Sequence, residues 1–194
     1  MTYKTFKSEE IKTVFEDLAN LRITVFRDYP YLYEGTLEYE KEYLQTYIKS
    51  KKSFLFTVFA GDKMVGATTC IPLADETEEV KKPFIEAGMD INTIFYFGES
   101  ILLPQFRGLG IGNRFFEERE AHAQRFGTFK MTCFCAVERP ENHPLKPESC
   151  VPLNNFWIKR GYQKEISLQS KFDWLDINDT TSTLKSMTYW TKNI

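Results

Sequence analysis

Between Thr93 and Asn113 the chain reads TIFYFGESILLPQFRGLGIGN, an apolar run that stops at Pro104, followed by Gly108, Gly110 and Gly112. The run has the make-up of a buried strand, and the proline ends it. Beyond the glycines, Ile111, Phe115, Phe116, Ala123 and Phe126 fall on one face of a helix of about four turns that stops near Gly127. A strand feeding a helix through glycines leaves backbone N–H groups unpaired at the positive end of the helix dipole. Three occupants suit such a turn: a nucleotide, a coenzyme with a diphosphate of its own, or nothing beyond a tight corner.

The flanking segments place this unit in a mixed α/β sheet. A short strand spans Tyr3 to Phe6. SEEIKTVFEDLANLRITVFRDYP then carries Ile11, Val14, Phe15, Leu18, Leu21 and Val25 at helical spacing and ends before Pro30. A second helix is expected from Thr36 to about Ser50, with Leu37, Leu44, Tyr47 and Ile48 on its inner face and charges outside. SFLFTVFAGDKMVGATTCIPL has two β-rich runs joined by a turn, a hairpin signature. A short helix spans Thr77 to Ala87. After the glycine turn and its helix, FKMTCFCAV is apolar enough for a central strand. Residues 138–152 hold four prolines (Pro140, Pro144, Pro147 and Pro152) and read as a long connection, a lid or the wall of a site. LNNFWIKRG forms a short helix, and strands at Gln163 to Trp174 and Thr183 to Thr191 close the chain. Residues 1–194 are read as one domain.

Composition narrows the function. A net charge of −2 with no basic run argues against nucleic acid as partner. No apolar segment reaches the ~20 residues needed to cross a bilayer, and no signal peptide opens the chain, so a cytosolic protein away from membranes is expected. Cys70, Cys133, Cys135 and Cys150 form no CxxC pair or Cys/His cluster, which predicts free thiols and no metal site.

The glycines discriminate further. A P-loop requires Lys and then Ser or Thr after its last glycine, but Asn113 and Arg114 follow Gly112. The dinucleotide fingerprint GxGxxG fails at its third glycine, where Asn113 stands. What fits is Gln-x-x-Gly-x-Gly, here Gln105, Phe106, Arg107, Gly108, Leu109 and Gly110, after a strand ending in SILLP. In this the chain resembles the GNAT superfamily of acyl-CoA N-acyltransferases. RPENHPLKP followed by FWIKRGY also resembles a bacterial subgroup of that superfamily.

The resemblance implies the GNAT fold, a mostly antiparallel central sheet flanked by helices. It implies acetyl-CoA as cosubstrate and an amine acceptor, a small molecule, with a homodimer as the assembly to test. The backbone of Ile101, Leu102 and Leu103 would hold the pantetheine arm. Gln105, Arg107, Gly108, Leu109, Gly110, Ile111, Gly112 and Asn113 would hold the diphosphate, with Arg107 and Arg114 at the rim. A backbone N–H near Leu102 would polarise the thioester oxygen.

Acyl transfer to an amine needs a base, since an alkylammonium loses its proton only near pH ~10.4 in water. Strict alternation places Glu99 with Phe95, Phe97, Ile101 and Leu103, and a carboxylate in apolar company suits a base near neutral pH. A bulge after Gly98 is the alternative, turning Glu99 to water or a backbone partner. The resemblance implies a tyrosine acid where Trp157 stands; Tyr162, Cys135 or water are the substitutes. Cys150 occupies the position of an asparagine the resemblance implies, and Asn154 is the nearest coenzyme contact. His143 in the proline-rich loop is either structural or a substrate contact, and His122 is expected to face solvent. RDYPYLYEGTLEYEKEYLQTY, rich in tyrosines and acids, could wall a cation or simply be a half-buried helix pair. An acyl-CoA-binding sensor without catalysis remains the rival reading.

Overall fold

The computed structural model describes residues 1–194. In chain order the elements are β1 (Thr2–Phe6), α1 (Phe15–Phe26), α2 (Leu37–Tyr43), α3 (Gln45–Lys49), β2 (Phe54–Ala60), β3 (Lys63–Pro72), α4 (Glu78–Glu86), β4 (Ile94–Leu102), α5 (Ile111–Gln124), β5 (Met131–Val137), α6 (Asn154–Ile158), β6 (Gln163–Trp174) and β7 (Thr183–Asn193). The strands form one sheet of seven in the order β1-β2-β3-β4-β5-β7-β6. Every neighbouring pair is antiparallel except β4 and β5.

That parallel pair opens the molecule. β4 and β5 meet only at Ile94 with Met131, Phe95 with Thr132 and Tyr96 with Cys133, although β4 runs on to Leu102 and β5 to Val137. Beyond Tyr96 the two strands diverge, and the β5-facing edge of β4 has no strand partner. The divergence coincides with a bulge, because Thr68 opposes Ser100 and Cys70 opposes Phe97, leaving Gly98 and Glu99 together across from Thr69. An extra residue bends its strand and ends regular pairing.

Helices cover both faces. α5 packs on the side of Phe54, Phe56, Phe95 and Phe97, where Phe115 contacts Phe56, Phe116 contacts Phe97, and His122 stacks on Phe54 at 4.5 Å. α1 to α4 lie on the opposite side with Tyr96, and α4 reaches across to β6 and β7, its Phe84 against Tyr189 at 4.8 Å. Ser170 donates to the Glu79 carbonyl at 2.7 Å and Tyr189 to the Val80 carbonyl at 3.0 Å, which anchors α4 over the far strands. One hydrophobic cluster of 39 buried residues runs through these layers.

Three sequence expectations are corrected here. The first helix begins as a 3-10 segment over Ser8–Val14, tied by the Lys7 N–H donating to Glu10 at 3.0 Å. The helix expected from Thr36 to Ser50 breaks at Leu44 into α2 and α3: Leu44, Tyr47 and Ile48 are buried as expected, whereas Leu37 is 46% exposed and Glu40 is fully buried. His122 is also buried, its Nε2 2.9 Å from the Lys52 carbonyl oxygen. It follows Phe115 and Arg119 along the inner stripe of α5, and burial lowers its pKa.

Candidate acyl-transfer site

Two regions flank the opening between β4 and β5. The first is the glycine turn. Gly108 has φ 77° and Gly110 φ 80°, the left-handed conformation that glycine alone adopts without strain, and a Cβ on either would meet no atom within 4 Å. Asn113 and Arg114 N–H groups bond the Gly110 carbonyl, starting the helix, whereas the N–H groups of residues 108–112 donate to no protein acceptor. Unpaired amides clustered at the N-terminus of a helix of 14 residues form a cradle for an anion.

The residues expected around a coenzyme fall as follows. Ile101 and Leu103 are buried, and Leu102 is half-buried on the free stretch of β4; Gln105, Arg107, Gly108, Leu109, Gly110 and Asn113 are exposed on the turn. Ile111 is buried and Gly112 half-buried at the start of α5. Gly112 has a packing duty as well, since a Cβ there would come 3.2 Å from Phe156, the residue by which α6 approaches α5. Asn154 is exposed in the first turn of α6. Arg107 folds back to donate to the Leu102 carbonyl at 3.3 Å. Arg114 does not face the turn's rim: its guanidinium stacks 3.9 Å from the Tyr3 ring centroid and pairs with Glu118.

The second region lies beneath β4 on the α1 side, and alternation misplaced its central residue. The bulge sends Gly98 and Glu99 to the same face, so Glu99 leaves the side of Phe95 and Phe97 and turns to α1. Regular alternation resumes after it, with Leu102 returned to the α5 side beside Gly66 and Phe115. Glu99 meets neither apolar side chains alone nor water. Its Oε2 lies 2.7 Å from Nη1 of Arg22, whose Nε bonds Glu40. All three are buried, and no protein donor is aligned on Glu99 Oε1 or Glu40 Oε1. Burial works against the charge on Arg22, but Glu99 and Glu40 together hold its pKa well above the usual value.

Around this ion cluster stand tyrosines of the RDYPYLYEGTLEYEKEYLQTY segment. The Arg22 guanidinium sits over the Tyr43 ring at 4.4 Å, and burial raises the pKa values of Tyr31, Tyr43 and Tyr47. Tyr47 donates to Glu76 Oε1 at 3.0 Å. Sequence reasoning missed Arg22, Glu40 and Glu76. Arg22 and Glu40 fall within amphipathic helix patterns, and the available signal is a charged residue on the apolar stripe of α1, between Leu18 and Val25.

The expected proton donors lie elsewhere. Trp157 packs on Phe134 and Trp190 at 5.1 and 5.0 Å. Tyr162 is buried on the α5 side, donating to Glu120 at 3.1 Å and 3.0 Å from Thr132 Oγ1, and burial raises its pKa. Cys135 is nearer the cluster, 3.2 Å from the Tyr96 hydroxyl, with its thiol pushed up to about 12 by burial. His143 accepts from the Leu145 N–H at 3.2 Å, closing a local turn, with its ring 5.8 Å from that of Tyr29.

The proline-rich connection is tied to the body of the fold at its second residue. Arg139 clamps Asp176 through both carboxylate oxygens at 2.7 and 2.8 Å and donates to the carbonyls of Pro30 and Tyr31, tying the segment after β5 to the α1–α2 loop and the β6–β7 turn. Burial opposes the Asp176 charge, but the hydrogen bonds and charge of Arg139, with Lys185, keep its pKa below the usual carboxylate value. No group of three or more His, Cys, Asp or Glu side chains is placed to hold a metal ion. No helix is long and apolar enough to cross a membrane.

Solved structures share this architecture along the full chain. A ribosomal-protein-alanine N-acetyltransferase from Brucella melitensis superposes with a TM-score of 0.63 at 10% identity, covering 100% of both chains. An acetyltransferase of the GNAT family from Streptococcus pneumoniae gives 0.60 at 14% identity, again over 100% of both. An N-acetyltransferase from Staphylococcus aureus Mu50 gives 0.60 at 9% identity, covering 100% of this chain and 99% of the other. No protein-family model and no curated protein matches the sequence. At these identities the likeness establishes the fold, a mixed α/β sheet with helices on both faces, and leaves the chemistry to the residues.

Proposed function

We propose that this chain is a GNAT acyltransferase that moves an acetyl group from acetyl-CoA to the nitrogen of a small amine. The observation that carries the reading is the turn over residues 108–112, whose N–H groups lack protein acceptors and adjoin the unpaired stretch of β4. The residues fit the coenzyme: the turn offers donors and open space to a diphosphate, and the β5-facing edge of β4 around Leu102 offers backbone partners to the amides of a pantetheine arm, whereas the Leu103 N–H already donates to the Val65 carbonyl. Gln105, Arg107 and Asn113 border the diphosphate, and Asn154 borders it from α6. When bound, acetyl-CoA supplies a thioester whose carbonyl carbon is open to attack, and the N–H of β4 near Leu102 stabilises the charge that develops on its oxygen.

The acceptor sits on the α1 side of the same opening. Glu99 and Glu40 bring two carboxylates to the single guanidinium of Arg22, and an ammonium group would balance the second. Glu99 is the residue assigned to contact and orient that nitrogen. The likeness to acetyltransferases of known structure supports the reading at the level of the fold.

Calorimetric titration with CoA tests the turn. A β-branched side chain at position 110 must adopt a strained left-handed backbone and fill the space assigned to the phosphates. Gly110→Val is expected to weaken CoA binding by at least about 100-fold, roughly the loss of two charge-assisted hydrogen bonds. Unchanged affinity in that variant places the coenzyme elsewhere. A second reading, an acyl-CoA sensor without turnover, is favoured by one observation: Trp157 replaces the expected acid, and Tyr162 is locked to Glu120 and Thr132. Release of free thiol from acetyl-CoA across an amine library separates the two.

A further inference from the structure

The assignments above leave one buried carboxylate without a role. Glu76 follows β3 and is 3% exposed. Only neutral donors meet its oxygens: the Tyr47 hydroxyl at 3.0 Å on Oε1 and the Thr77 N–H at 3.0 Å on Oε2. Because the Tyr47 proton points to Glu76, the Tyr43 hydroxyl, 3.2 Å away, is the donor to Tyr47. Tyr43 in turn lies under Arg22, which holds Glu99. Tyr43 and Tyr47 therefore form a chain of two hydroxyls that leads from beside the Arg22 cluster to the Glu76 carboxylate. The bulge makes room for it, since a Cβ at Gly98 would lie 1.9 Å from the Tyr47 hydroxyl oxygen.

We propose that Glu76 is the proton acceptor for the acyl-transfer reaction, reached from the bound amine through the hydroxyls of Tyr43 and Tyr47. In this step the acceptor ammonium gives a proton to Tyr43 as Tyr43 passes its own to Tyr47 and Tyr47 passes its own to Glu76 Oε1. A neutral amine and a carboxylic acid result, with no other bond changed. The amine nitrogen then bonds to the thioester carbon and the C–S bond breaks, the second nitrogen proton leaving with the sulfur as the CoA thiol. The proposal rests on the acyltransferase reading.

The surroundings of Glu76 suit the role. Tyr47 of α3, Tyr43 of α2, Tyr96 of β4, Cys133 and Cys135 of β5 and Tyr189 of β7 all have pKa values raised by burial and stay neutral at pH 7. The charged groups that bear on it are Glu99 and Arg22, which pair with each other. Burial lifts Glu76 to about 7, against hydrogen bonds from Thr77 and Tyr47 that favour its charged form. Glu99 faces a guanidinium, whereas Glu76 has no cation in contact.

The test compares the wild-type chain with Glu76→Gln, which keeps shape, and Tyr47→Phe, which removes only the relay oxygen. Infrared titration of the protein without substrate should show a carboxylic-acid band disappearing with a midpoint near pH 7, absent from Glu76→Gln. With acetyl-CoA and a panel of primary amines, kcat of the wild type should rise through the same midpoint. In Tyr47→Phe it should fall about 10- to 100-fold with the KM for acetyl-CoA unchanged. Retention of that inflection in Glu76→Gln, or wild-type kcat in Tyr47→Phe, overturns the relay. A wild-type chain that binds no CoA overturns the acyltransferase reading instead, and the relay with it.

Discussion

The glycine turn and the Arg22 cluster both adjoin the stretch of β4 that β5 leaves unpaired, and they are built in opposite ways. The turn comes from one stretch of sequence, residues 104–113, and offers main-chain N–H groups whose direction follows from two left-handed glycines and the start of α5. The cluster takes Arg22 from α1, Glu40 and Tyr43 from α2, Tyr47 from α3, Glu76 from the loop after β3 and Glu99 from β4, and it works through side-chain charge. A backbone site tolerates changes in its side chains, whereas a side-chain site buried with its charges depends on every member.

The largest effect that would expose this difference is expected from Arg22→Met. Removing the guanidinium leaves Glu40 and Glu99 buried without a cation, which should cost about 3–5 kcal/mol in thermal or urea denaturation. CoA affinity of the folded fraction should stay within about twofold, because no part of the turn depends on Arg22. A stability loss below about 1 kcal/mol would mean that the two acids are reached by water.

The pH dependence of stability is the next way to separate the regions. Glu76 has a folded pKa of about 7 against a usual value of 4.5, so between those values the folded chain holds a proton that the unfolded chain releases. Stability contributed by this group is therefore full below pH 4.5 and is lost as pH rises through 7. Urea denaturation at pH 5 and pH 8 should show a fall on the order of 2–3 kcal/mol in the wild type. In Glu76→Gln that component should vanish; an equal fall in the variant would assign it to another group. The smallest effect is expected from Asn154→Ala, which should alter CoA affinity by less than about threefold if main-chain groups do most of the holding. A tenfold loss would show that α6 contributes a side-chain contact comparable to the turn.

The elements themselves were legible because each has a local cause. The hairpin of β2 and β3, the strand before Pro104, the helix after Gly110 and the strands β6 and β7 all stand where periodicity and turn residues put them. The misreadings share a different cause. His122 sits among charged residues in sequence, yet the inner stripe of α5 buries it against Phe54. Glu40 looks like an outward charge until the break at Leu44 and the guanidinium of Arg22 draw it inside.

The order of strands and helices, and the glycine turn that opens α5, follow from the chain alone, since hydrophobic period, proline and glycine act over a few neighbouring residues. The facing of Glu99 did not. A single extra residue at Gly98 reverses which side of the sheet a strand presents, and that bulge depends on Thr69 across the ladder and on the Tyr47 hydroxyl pressed against a glycine with no Cβ. The acidic cluster likewise exists only where segments far apart in the chain converge. Charge pairing between buried groups is a property of distance in space, and spacing along the sequence carries no record of it.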